Sequence, residues 1–97
     1  MIVEINGCEI RAENDFHTFI TNVFDVGGYY GENLDALFDL LSRDIERPLT
    51  IIWSRSDLSK QSIGEDDFNQ IISTFDAVRE SDMPGLDPAD VFSYELR

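Results

Sequence analysis

Three carboxylates, Glu32, Asp35 and Asp39, follow one another at helical spacing just after a tyrosine pair, Tyr29-Tyr30, in a glycine-bounded loop. Carboxylates at i and i+4 can share a hard cation such as Mg²⁺, and a metal nuclease is then conceivable. That chemistry asks for a base or a phosphate clamp, and neither Lys nor His stands beside the trio. No metal site is expected. As a solvated helix face, the trio carries a small penalty: like charges at i and i+4 disfavour a helix by ~0.2–0.5 kcal/mol. Asp35 recovers part of this from the first-turn dipole, whereas Asp39 lies too far along the helix to do so. The penalty hints that the pair serves a partner. Tyrosine is enriched at binding hot spots, and two such rings beside carboxylates suit a cationic cleft. One of the two is expected to pack under the loop instead.

The other reactive side chains make no catalytic set. His17, the single histidine, falls one residue after the core position Phe16 and is expected to be an ordinary exposed helix residue. Cys8, the single cysteine, lies beside a predicted strand and is expected to be a structural or surface thiol. Nothing in their spacing pairs them as nucleophile and base. Neither a Gly-rich phosphate loop nor an HExxH or CxxC motif is present. The expectation is a protein with no catalytic residues and no cofactor.

Charge narrows the partner. Twenty Asp and Glu against seven Lys and Arg give a net −13 over 97 residues. Such a field repels nucleic acid and anionic lipid, so neither RNA, DNA nor a membrane is an expected partner. It attracts a cationic surface, and more quickly at low salt. Disorder is excluded by 42% hydrophobic and 11% aromatic residues. One domain over residues 1–97 is expected, because the chain contains neither a repeat nor a Gly/Ser linker. The start lacks a basic and apolar leader pattern, and a lone cysteine fits a reducing compartment, so a cytoplasmic location is expected.

The elements that must hold these residues are legible in outline. Ile2–Ile5 is a β-branched run closed by the turn dipeptide Asn6-Gly7, with a brief extended piece expected at Cys8–Arg11. Asn14 is placed as the cap of a first helix whose stripe is Phe16, Phe19, Ile20, Val23 and Phe24, ending at Gly27-Gly28. Asn33 caps a second helix from Leu34 to about Ser42; Phe38 stands at the border between its apolar arc and its acids. Leu49–Trp53 reads as a buried strand, 54–63 as a short helix or turn, and Glu65–Asp82 as a long helix. After the breakers of 83–88, Val91–Leu96 reads as the last strand. Strands joined by helical crossovers predict an α/β fold with a small parallel sheet packed against helices.

The run Tyr29-Tyr30-Gly31-Glu32-Asn33-Leu34-Asp35-Ala36-Leu37, with Phe38-Asp39, resembles the signature loop and second helix of the barstar family, inhibitors of barnase-type ribonucleases. The likeness extends through Ile5-Asn6-Gly7, Ile10-Arg11, Asp15 to His17, Glu46, Pro48-Leu49, Trp53 and Ser59-Lys60-Gln61, over nearly the whole chain except the 83–90 loop. It implies a three-stranded parallel sheet under helices and a non-enzymatic inhibitor that plugs a small basic ribonuclease, of extracellular or toxin type. In the second case the chain would be an immunity protein. Carried over, the contact surface would comprise Tyr29, Tyr30, Asn33, Asp35, Phe38 and Asp39, with Asp39 in a phosphate position, Tyr29 stacked on the catalytic side and Glu32 peripheral. Three positions depart from the pattern. Phe38 stands where barstar has tryptophan, and Arg43-Asp44 replaces a glycine and a tryptophan. Ala77 falls where an acid is used, with Asp76 as its substitute. A different reading of the same acidic face is a binding module for a basic partner that is not a nuclease.

Overall fold

A computed structural model describes residues 1–97. Its elements are β1 (Ile2–Asn6), α1 (Glu13–Val23), α2 (Leu34–Asp39), a π-helical turn (Leu40–Asp44), β2 (Thr50–Ser54), α3 (Ser56–Ile63), α4 (Glu65–Asp82) and β3 (Ser93–Leu96). The three strands form one parallel sheet in the order β1-β2-β3, with Val3 opposite Ile51 and Ile51 opposite Tyr94. This is the expected α/β fold.

Period-two alternation decides which face is covered. Val3 and Ile5 of β1 and Ile51 and Trp53 of β2 enter the core, while Ile2 and Glu4 stay exposed. Against the inward face α1 sets Phe16 and Ile20, α2 sets Leu37, and α4 sets Ile71, Phe75 and Val78. Trp53 is the hub: it is fully buried, stacks on Phe16 at 5.4 Å and meets Phe68 edge-on at 5.1 Å. Its indole N–H donates to Ser59 Oγ at 3.0 Å, and Ser59 donates onward to the Gly7 carbonyl at 2.9 Å. A Cβ at position 7 would collide with the carbonyls of Ser54 and Arg55, so the β1 turn requires glycine there.

Several boundaries differ from those expected, each for a physical reason. Asn14 lies inside α1, not at its cap; the cap position is Ala12, and the Asp15 carboxylate receives the Arg11 N–H at 3.0 Å. The helix ends at Val23, before the glycines, and Asp25 takes the left-handed conformation with φ 52°. Cys8 and Glu9 lie in a turn, closed by Glu9 N–H to Asn6 and Ile10 N–H to Gly7, and no strand forms over Cys8–Arg11. The second helix does not run unbroken to Ser42. It widens into the π turn, in which the consecutive residues Leu40 and Leu41 are both buried. β3 begins at Ser93, whose N–H makes the first bond to β2 at the Leu49 carbonyl, 3.0 Å; the Phe92 N–H before it donates to Asp82 Oδ2 at 2.8 Å.

A buried ion pair ties the end of the π turn to the core. The Arg47 guanidinium donates to both Asp82 oxygens, at 2.6 and 3.1 Å, and to the carbonyls of Leu41 and Ile45 at 2.6 and 2.9 Å. These carbonyls would otherwise be orphans of the helix end. The Arg47–Pro48 peptide bond that follows is cis.

Candidate functional site

The acidic face rests on one well-made helix start. Asn33 is extended (φ −142°), and its side-chain oxygen accepts from Ala36 N–H at 2.8 Å while its amide donates to the Gly31 carbonyl at 3.2 Å. Asn33 is thereby the cap that aims α2. Glu32 before it is exposed, at φ 53°. Beyond the cap, Leu37 is buried, Leu34, Ala36 and Phe38 are half-buried against the core, and Asp35 and Asp39 stay exposed. The helix α2 is thus a ridge whose crest is anionic.

A depression flanks the ridge on each side. One cleft, of about 190 Å³, is lined by Tyr29, Tyr30, Ala36, Asp39, Leu40 and Asp44. The other is a shallower groove of about 260 Å³ between α2 and α4, lined by Leu34, Asp35, Phe38, Ser73, Thr74 and Ala77. Asp39 therefore borders the first and Asp35 the second. No three His, Cys, Asp or Glu side chains converge in a way that could hold a metal ion.

The tyrosines divide as expected, one outward and one inward. The Tyr29 ring is 64% exposed, and its hydroxyl donates to Asp44 Oδ2 at 3.2 Å. Partial desolvation and the Asp44 carboxylate both push its phenol above the ordinary value. Tyr30 is buried beneath the loop, its hydroxyl 2.6 Å from Nδ1 of His17. Burial, with Glu32 and Glu13 nearby, raises that phenol strongly. So Tyr30 lines the floor of the cleft rather than its crest.

His17 contradicts the exposed placement expected of it: it is 2% exposed. On a helical wheel it lies only about 20° from Phe24 and about 60° from Ile20, which was a legible hint of burial. Its Nε2 lies 3.4 Å from Glu13 Oε2, one turn earlier on α1. Asp76 is also placed apart from the ridge. Its carboxylate accepts from the Tyr94 hydroxyl of β3 at 2.7 Å, and Ala77 rather than Asp76 lines the α2–α4 groove. Asp44 was legible only as a substitution at the helix end; nothing local in the chain showed that it faces Tyr29.

A three-stranded parallel α/β domain presenting an exposed acidic helix between two depressions is a defined class of small protein. Residues 1–93 match the sequence profile of the family Barstar (barnase inhibitor), and the chain belongs to that family. A similar protein is "Putative ribonuclease inhibitor YrdF" of Bacillus subtilis (strain 168), 31% identical over 70% of this chain and 77% of that one.

Proposed function

We propose that this protein inhibits a small basic ribonuclease by filling its active site with the ridge and loop of residues 29–39. The observation that carries the reading is the exposed pair Asp35 and Asp39, presented by a capped helix with Tyr29 beside them, on a chain of this family. A ribonuclease cleft is cationic because it binds phosphate, and an inhibitor can satisfy those cations with carboxylates. Asp39 at the edge of the cleft takes the place of a substrate phosphate against the enzyme's cationic groups. Asp35 adds charge on the side of the α2–α4 groove. Tyr29 supplies an aromatic surface, Asn33 holds the helix start, and Glu32 acts on approach. The enzyme is inhibited by occlusion, and no turnover by this chain is involved.

The experiment is a titration of a small basic ribonuclease, with barnase as the first probe, in EDTA. Activity falls to the background near equimolar addition. Inhibition that required metal, or RNA cleavage by this protein itself, would overturn the reading. Capture of a basic protein without ribonuclease activity would favour the acidic binding module instead.

A further inference from the structure

We propose that Asp44 is a positioning residue of the recognition face: through its hydrogen bond to the Tyr29 hydroxyl it holds that ring in one orientation as the outer wall of the Asp39 cleft. The inference rests on the inhibitor reading for its consequence, but not for the contact itself.

The geometry begins with the π turn. In an unbroken α-helix, residues five apart diverge by about 140° around the axis, so Asp44 would point well away from Asp39. A turn bonded i→i+5 winds more slowly and brings such residues nearer to one face. Asp39 and Asp44 accordingly border the same cleft, together with Ala36, Leu40 and the two tyrosines. Placing two carboxylates on one cleft is unfavourable unless one is engaged, and Asp44 is engaged by the Tyr29 hydroxyl at 3.2 Å.

Tyr29 needs such a tether. Its backbone N–H reaches the Val26 carbonyl at 3.3 Å, and so does that of Tyr30, at 3.1 Å, so the loop backbone is fixed. The ring itself is mostly in solvent. An exposed aromatic that must be ordered on binding loses affinity, whereas one already held in place does not. Asp44 provides that hold from a different segment, fifteen residues further along the chain. This makes Asp44 a determinant of fit through Tyr29, without requiring it to touch the partner.

Two arms test it. In the free protein, Hα–Hβ couplings of Tyr29, assigned by comparison with Tyr29→Phe, report one χ1 rotamer in the wild type. Asp44→Ala averages them, and Asp44→Asn, which keeps an acceptor oxygen, restores most of the preference. Averaged couplings in the wild type, or couplings unchanged in Asp44→Ala, overturn the proposal whatever the protein binds. In the second arm, barnase is the probe. Asp44→Ala and Tyr29→Phe each weaken inhibition about 3- to 10-fold, chiefly in dissociation, and the double variant is no weaker than either alone. Losses that multiply, or an Asp44→Asn variant as weak as Asp44→Ala, show that Asp44 acts by charge and overturn the positioning role. Asp39→Ala runs in the same series. If Asp39→Ala too leaves inhibition intact, the placement of Asp39 in a phosphate position has failed; if the wild type does not inhibit, the inhibitor reading has failed; in both cases the coupling measurement still decides the contact.

Discussion

Nδ1 of His17 and the hydroxyl of Tyr30 lie 2.6 Å apart, both buried, joining α1 to the loop that presents Tyr29. The bond lies beneath the loop that precedes α2 and joins it to α1 through side chains. Tyr30→Phe deletes the hydroxyl and leaves a buried ring nitrogen unpaired. The general penalty is about 1–3 kcal/mol. Thermal or urea unfolding of the variant, followed by fluorescence of Trp53, measures it. An unchanged midpoint would show that the His17–Tyr30 bond contributes nothing to the fold.

Alkali should open the same region. Folding raises the phenol of Tyr30, through burial with Glu32 and Glu13 nearby, and raises that of Tyr94 to about 12, through burial and its bond to Asp76. Both exceed the 10.0 of a free phenol, so the fold favours the neutral form. The stability this confers is complete below pH 10 and is lost as pH climbs through the folded values. Unfolding free energy measured from about pH 9 to about pH 12 falls steadily in the wild type. In Tyr30→Phe the slope is shallower; equal slopes would assign the transition to other groups.

Acid acts on the Arg47–Asp82 pair. Burial works against the Asp82 charge, but the Arg47 guanidinium and the Phe92 N–H outweigh it and hold the carboxyl below its ordinary 3.8. Its contribution is therefore present above that pH and lost as pH falls through the depressed folded value. Removing one partner of a buried pair typically costs about 3–5 kcal/mol, because the other charge is left unpaired. Asp82→Asn should lower stability at neutral pH and flatten the acid limb of the stability profile. An acid limb as steep as that of the wild type would show that Asp82 does not drive it.

The sequence carried what is local. The stripe Phe68, Ile71, Ile72, Phe75 and Val78, with three acids before it, marked α4, which runs over Glu65–Asp82 as expected. Asn33 announced the α2 cap, and the contiguous 29–39 run announced the acidic ridge. What escaped depends on partners distant in the chain. The buried His17 meets Tyr30, thirteen residues on, through Nδ1 alone. Asp82, ten residues before Phe92, holds the N–H of that residue just ahead of β3. The π turn, in which Leu40 and Leu41 are both buried, left no mark in the 3.6-residue pattern. Asp76 was added to the contact surface only as the substitute for Ala77 on the last helix, and no local signal showed that its carboxylate accepts from the Tyr94 hydroxyl of β3.

Association with a cationic cleft should be faster at low salt. The net charge of −13 acts at long range, and exposed charges are screened beyond about 8–10 Å at ~0.1–0.15 M salt. Stopped-flow mixing across a salt series reads the association rate. Glu32→Ala, at an exposed position just before α2, should lower that rate with little change in dissociation. A rate independent of salt would remove electrostatic steering from the account.

Asp39 is the residue on which the phosphate-mimic mechanism stands. If it fills a phosphate position, Asp39→Ala leaves buried cations of the enzyme unpaired, a loss of about 2–5 kcal/mol or more, expressed mainly in dissociation. Asp35→Ala and Tyr29→Ala should each lose less. Stability should move the other way. Removing the like charge one turn from Asp35 leaves the fold unchanged or firmer by a few tenths of a kcal/mol. The control is Asp67→Ala, an exposed acid in the first turn of α4. It subtracts the same charge far along the chain from the ridge and, unlike Asp39→Ala, gives up a favourable dipole contact. Inhibition and thermal unfolding are measured on both variants. Equal losses of inhibition mean that net charge alone matters and rule out a specific phosphate position. Loss of inhibition that follows loss of folding makes Asp39 structural. A large loss at Asp39 alone, with folding intact, is the outcome the ridge geometry predicts.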